Sequence, residues 1–131
     1  MTVFADTSAL YALLDRDDQF HGAARATLAG LAGEEILTHS YVLVEMIALT
    51  QRRLGAYAVR RFSQDFLPVL NTVWIDEATH SSGLAALLAA LPTDVSLVDF
   101  VSFQVMRERG VARPFAFDED FLEAGFSTLP A

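Results

Sequence analysis

Four carboxylates in this sequence stand in apolar company, where a charge is costly unless something compensates it. They are Asp6 in "TVFADTSAL", Glu45 in "YVLVEMIAL", Asp99 in "SLVDFVSF" and Asp118 in "FAFDEDF". Other acids, such as Asp15, Asp17, Asp18, Glu34, Glu35 and Asp76, fall in polar clusters or at helix beginnings, where solvation or the helix dipole accounts for them. Three of the four have a plain alternative. Asp6 suits an N-cap for a helix starting near Ser8. Glu45 suits the solvent side of an amphipathic helix, and Asp118 a polar turn continued by Glu119 and Asp120. Asp99 is harder to dismiss, because a charge inside an apolar helix needs a partner or a metal. If the four converge, their repulsion raises at least one pKa, and a hard divalent cation relieves it. Mg²⁺ or Mn²⁺ prefers carboxylate and water oxygens. Zn²⁺ is not favoured: there is no cysteine, and His21, His39 and His80 are solitary, read as structural or surface side chains.

Convergence requires elements that bring distant residues to one place. The chain alternates short β-like runs with longer helical ones. "TVFA" reads as a strand, followed by helical stretches through "SALYALLD" and "DQFHGAARATLAGLA". "EILT" leads into the helical "SYVLVEMIALTQRRLG", with Ser40 as the expected N-cap and Gly55 as the stop. "AYAVRRFSQDFL" continues helical, "VLNTVWI" reads as a strand, "EATHSSGLAALLAAL" returns to helix, and "SLVDFVSFQVMRERG" is helical up to Gly110. "PFAF" and "FSTL" read as short closing strands. Strands separated by helices predict an α/β fold, a three-layer α/β/α sandwich with a central, mainly parallel sheet. In such sheets ligands bind beyond the carboxyl ends of the strands, and Asp6 stands at one.

Composition bounds the rest. At 131 residues and 53% hydrophobic, the chain predicts a single domain over residues 1–131 with a proper core. No apolar run approaches the roughly 18 residues that span a bilayer, and the N-terminus has no basic-then-apolar leader, so no membrane association and a cytoplasmic location are expected. The net charge is −8, and all nine basic residues are arginine. That acidity opposes a broad nucleic-acid footprint, so an RNA or DNA substrate requires cations or a local arginine patch to offset it.

The motifs "FADTSAL", "SYVLVEMIAL", "SLVDFVSFQVM" and "FAFDEDFLEAGFSTLP", in this order along nearly the whole chain, resemble those of PIN-domain proteins, in particular VapC-type toxins of type II toxin–antitoxin pairs. The resemblance implies metal-dependent cleavage of RNA phosphodiesters, leaving a 5′-phosphate and a 3′-hydroxyl. It implies that Asp6, Glu45, Asp99 and Asp118 form the family's acidic quartet, catalytic and metal-binding, holding one or two Mg²⁺ or Mn²⁺ ions. Ser8 matches the family's small hydroxyl residue after the first acid. Ala116 departs from the hydroxyl that many members carry two positions before the last acid, and Asp120 ranks below the four as an auxiliary ligand. The implied partners are an RNA substrate and a small cognate antitoxin whose tail can push a basic side chain into the acidic site. A homodimer is a further expectation. Arg52, Arg53, Arg107, Arg109 and Arg113 are candidates for holding the RNA backbone, with ordinary surface charge or antitoxin contact as the competing explanation.

Rival chemistries lack their essential residues. A response-regulator receiver needs a lysine, and the chain has none. A haloacid-dehalogenase-like phosphatase needs an aspartate where Ser8 stands, and a Ser/His/Asp hydrolase of the nucleophile-elbow kind needs a G-x-S-x-G that is absent. The remaining alternative is a PIN-like module that binds RNA or protein without cutting.

Overall fold

The computed structural model describes residues 1–131. Four strands, β1 (Thr2–Ala5), β2 (Glu35–His39), β3 (Asn71–Val73) and β4 (Pro114–Phe115), form one sheet in the order β3-β2-β1-β4, and every pairing is parallel. Seven α-helices connect and cover them: α1 (Thr7–Leu14), α2 (His21–Ala29), α3 (Ser40–Arg53), α4 (Ala56–Arg61), α5 (Glu77–Ala90), α6 (Leu97–Arg109) and α7 (Asp120–Glu123). The architecture is the expected α/β/α sandwich, its sheet wholly rather than mainly parallel.

β1 is central and buried on both faces, which is why it reads as an uninterrupted apolar run. Val3 enters a small cluster with Ala9, Ala12, Ala24, Leu31 and Phe115, whereas Phe4 enters the main core with Leu37, Val101 and Phe121. The register pairs Val3 with Ile36 and Phe4 with Leu37, so the carboxyl ends of β1 and β2 finish level with each other. Helices begin there on side-chain caps. Asp6 caps α1, His39 caps α3, Asp76 caps α5 and Ser96 caps α6. Gly110 closes α6 in the left-handed conformation at φ 66°.

Several local expectations are corrected. Ser40 is not the N-cap of α3: the buried His39 ring takes that place, and the Ser40 hydroxyl instead accepts from the Ile75 N–H at 3.0 Å. The helix from Ala56 does not run through "FSQDFL" but widens into a π turn over Phe62–Phe66 and tightens into a 3₁₀ turn over Leu67–Val69. Pro68 has no N–H to continue the ladder, and Phe62 is fully buried with its ring 5.4 Å from that of Phe66. "VLNTVWI" contributes only Asn71–Val73 to the sheet, and of "FSTL" only Leu129 bridges, to Phe115.

Candidate metal centre

Asp6 follows β1 in extended conformation and serves as the N-cap of α1: its Oδ2 accepts from the Ser8 N–H at 3.4 Å and from the Ser8 Oγ–H at 2.9 Å. Its own N–H donates to the Phe115 carbonyl at 3.1 Å, which ties the exit of β1 to β4. Ser8 reaches further, since its Oγ also accepts from the Phe117 N–H at 3.0 Å. One hydroxyl therefore links the first acid to the segment that carries the last.

Asp99 lies in the first turn of α6, where Ser96 Oγ accepts from its N–H at 3.2 Å. Asp118 lies just past β4, its Oδ1 accepting from the Asp120 N–H at 2.9 Å in a tight Asx turn. Oxygens of Asp6, Asp99 and Asp118 all lie within 4.8 Å of one another. Asp6 and Asp99 are buried and Asp118 is half-buried. The molecule's two side-chain ion pairs, Arg61–Asp65 and Arg113–Glu34, lie elsewhere, so no basic side chain compensates the cluster.

The electrostatics follow from that placement. Burial pushes the Asp6 carboxyl up to about 6, with the Ser8 hydrogen bonds opposing and the negative field of Glu45 adding to it. Asp99 is pushed up to about 8, first by burial, then by the charges of Asp6 and Asp118 and by Asp120 beside it. Asp120 is raised as well, by burial and by Asp118. At neutral pH the metal-free cluster therefore retains a proton, centred on Asp99.

The three carboxylates open into a cleft of about 320 Å³ lined by nine residues, none of them apolar. Glu45 lines this cleft from α3 but is exposed and stands outside the cluster of three. Asp120 also lines it. Asp94 and Ser96 do too, and neither attracted notice as a site residue. Asp94 sits in the polar "LPTDVSL", where nothing marks an acid as unusual; Ser96, three residues before Asp99, is legible as a helix cap. No arginine lines the cleft. Arg53 lies over the Tyr11 ring at 5.5 Å, Arg107 over Phe126 at 5.3 Å, and Arg113 pairs with Glu34 at 2.9 Å, while Arg52 and Arg109 are exposed.

The donor set fits a hard divalent cation. All the clustered ligand atoms are carboxylate oxygens, converging from three elements and uncompensated by any side-chain cation. Thr7 Oγ1, buried at the start of α1 beside the cluster, has no hydrogen-bond partner within the protein.

Comparison with known proteins agrees in fold and sequence. The profile of the PIN domain family matches residues 3–127. The chain is 32% identical over 125 residues to the 23S rRNA-specific endonuclease VapC20 of Mycobacterium tuberculosis, covering 95% of each. The crystal structure of that protein, described as a sarcin-ricin loop cleaving toxin, superposes with a TM-score of 0.88 at 31% identity, over 95% of this chain and 96% of the other. At the level of fold alone, FitAcB from Neisseria gonorrhoeae matches with a TM-score of 0.72 at 15% identity, over 96% and 95% of the two chains. VapBC2 from Rickettsia felis, bound to a promoter DNA fragment, matches with a TM-score of 0.70 at 13% identity, over 98% and 97%.

Proposed function

Since this chain belongs to the PIN-domain family, and to its VapC type, we propose that it is a Mg²⁺- or Mn²⁺-dependent endoribonuclease acting as the toxin of a toxin–antitoxin pair. The observation that carries this reading is the set of three carboxylates within 4.8 Å of one another, with no basic side chain to balance them. Asp6, Asp99 and Asp118 would hold the cation, and Glu45, on the exposed wall of the same cleft, would complete the ligand set once RNA and metal are in place. A bound Mg²⁺ or Mn²⁺ supplies a water of lowered pKa and neutralises charge developing at the scissile phosphate.

The protein's own contribution is preparation. The Ser8 hydroxyl, by donating to Asp6 Oδ2, fixes the orientation of that carboxylate at the edge of the cluster. A cation held by these carboxylates would displace the proton retained near Asp99, and its uptake would then depend on pH. Hydrolysis by water is expected to leave a 5′-phosphate and a 3′-hydroxyl. A cleft without its own arginine would also accept a basic side chain from an antitoxin, silencing the site by occupying it.

The test is cleavage of total cellular RNA, and of a synthetic sarcin-ricin-loop RNA because VapC20 is described as cutting that loop. Purified protein is assayed with Mn²⁺ or Mg²⁺, with EDTA, and as an Asp99→Asn variant. Cuts that need the metal and disappear in the variant are expected. Absence of both cutting and Mn²⁺ binding would replace this reading with a non-catalytic RNA- or protein-binding module.

A further inference from the structure

His39 is fully buried at the end of β2 and belongs neither to the carboxylate cluster nor to the lining of the cleft. Its Nδ1 accepts from the N–H groups of Tyr41 and Val42, at 3.1 and 3.4 Å, and so caps α3. Its Nε2 lies 2.8 Å from Ser102 Oγ, and the Ser102 hydroxyl donates to the Val98 carbonyl at 2.8 Å. With that hydroxyl hydrogen committed to Val98 and Nδ1 accepting, Nε2 must carry the proton and donate to Ser102. The ring is thus neutral with a fixed tautomer, and it stacks on Phe4 at 5.6 Å.

The location of this link gives it consequence. The β1–β2 register, continued by two residues from Phe4–Leu37, sets His39 level with Asp6. Its neighbour Thr38 donates to the carbonyl of Ala5, the residue before Asp6, at 3.0 Å. α3 carries Glu45, and α6 carries Asp99 between Val98 and Ser102. One imidazole therefore joins, at the level of the first carboxylate, the two helices that bring two more.

We propose that His39 and Ser102 act as positioning residues: their buried hydrogen bond sets the placement of α6, so that Asp99 meets Asp6 and Asp118 closely enough to share a cation. The inference rests on the metal-site reading above. The fold itself has other supports for α6, chiefly its packing on α5, so loss of the link moves the carboxylate more than it unfolds the chain.

Mn²⁺ titration by calorimetry, paired with thermal melts, tests this on the full chain. His39→Asn keeps an acceptor to cap α3 but is too short to reach Ser102, whereas Ser102→Ala removes the link from the other side. Each is expected to weaken Mn²⁺ binding about tenfold. The double variant should be no weaker than His39→Asn alone, because both remove one interaction. Val105→Ala, a buried truncation on the same helix, should lower the melting temperature and leave Mn²⁺ affinity unchanged. If His39→Asn does not fold, Ser102→Ala decides the matter alone. Wild-type uptake of Mn²⁺ with undiminished affinity in Ser102→Ala overturns the inference by itself. A wild-type chain that takes up no Mn²⁺ overturns the metal-site reading and the inference with it.

Discussion

Two kinds of buried titratable side chain pull the metal-free protein in opposite directions with pH. Asp99, held up to about 8, and Asp6, held up to about 6, keep protons in the fold where an unfolded carboxyl, at 3.8, has lost them. Each therefore reduces stability as pH rises from the unfolded value through the folded one. His39 is depressed from 6.5 to about 4 by burial, so it reduces stability as pH falls below 6.5. Above about pH 7 the His39 contribution levels off, and up to about pH 8 Asp99 dominates. Melting in EDTA should therefore become easier across that window, by at most about 1.4 kcal/mol per pH unit for one proton. Asp99→Asn should flatten the slope, and Mn²⁺ should stabilise the wild type more at pH 8 than at pH 6.5. A flat wild-type profile would contradict the buried, uncompensated state of Asp99. The same residue shows what was legible in advance. An acid in "SLVDFVSF" violates the apolar pattern and announces itself, whereas Asp94 in polar surroundings violates nothing. For Asp6, the N-cap and the cluster are the same carboxylate, so the two readings never competed.

At the scale of elements, the crossing of α5 and α6 leaves little freedom. Gly83 on α5 faces Val101 on α6, and a Cβ there would stand 2.6 Å from Val101 Cγ2 and 3.4 Å from its backbone N and Cα. The Val101 side chain is short, branched and fully buried, so the helices must part. Gly83→Ala should cost about 1–3 kcal/mol from overpacking, less up to about 1 kcal/mol regained in helix propensity, and chemical denaturation measures the difference. Because Val101 lies two residues beyond Asp99, the same substitution should weaken Mn²⁺ binding. "LAALLAAL" gave no hint of this, since close approach depends on which face meets which neighbour. Strand and helix order was readable from periodicity, because parallel strands are short apolar runs and the helices between them are longer. The cap of α3 was not. Serine is the commoner capping residue, and an imidazole takes the role only because Phe4 and Ser102 hold it in place. The π turn after Arg61 was equally hidden, being set by how Phe62 fits the core.

Over the whole molecule, a net charge of −8 and an acid-lined cleft without arginine should repel a polyanion. Fluorescence anisotropy with a labelled RNA loop should show binding at least about tenfold weaker in EDTA than in Mn²⁺. In EDTA, Asp118→Asn should bind better than the wild type, whereas Asp99→Asn should not at neutral pH, because that acid already carries a proton. Equal RNA affinity with and without metal would assign binding to the outlying arginines instead. The sheet order adds a consequence in time. Asp6 leaves β1, the first strand to be synthesised, whereas Asp118 leaves β4, the last, and the two strands are neighbours. A ribosome delivers the N-terminal end first, at about 5–20 residues per second. Until the segment carrying Asp118 has emerged and docked beside β1, the nascent chain lacks one of its three clustered carboxylates. A chain cut short before β4 would therefore carry two of the three carboxylates and no complete cluster, however well its first three strands fold.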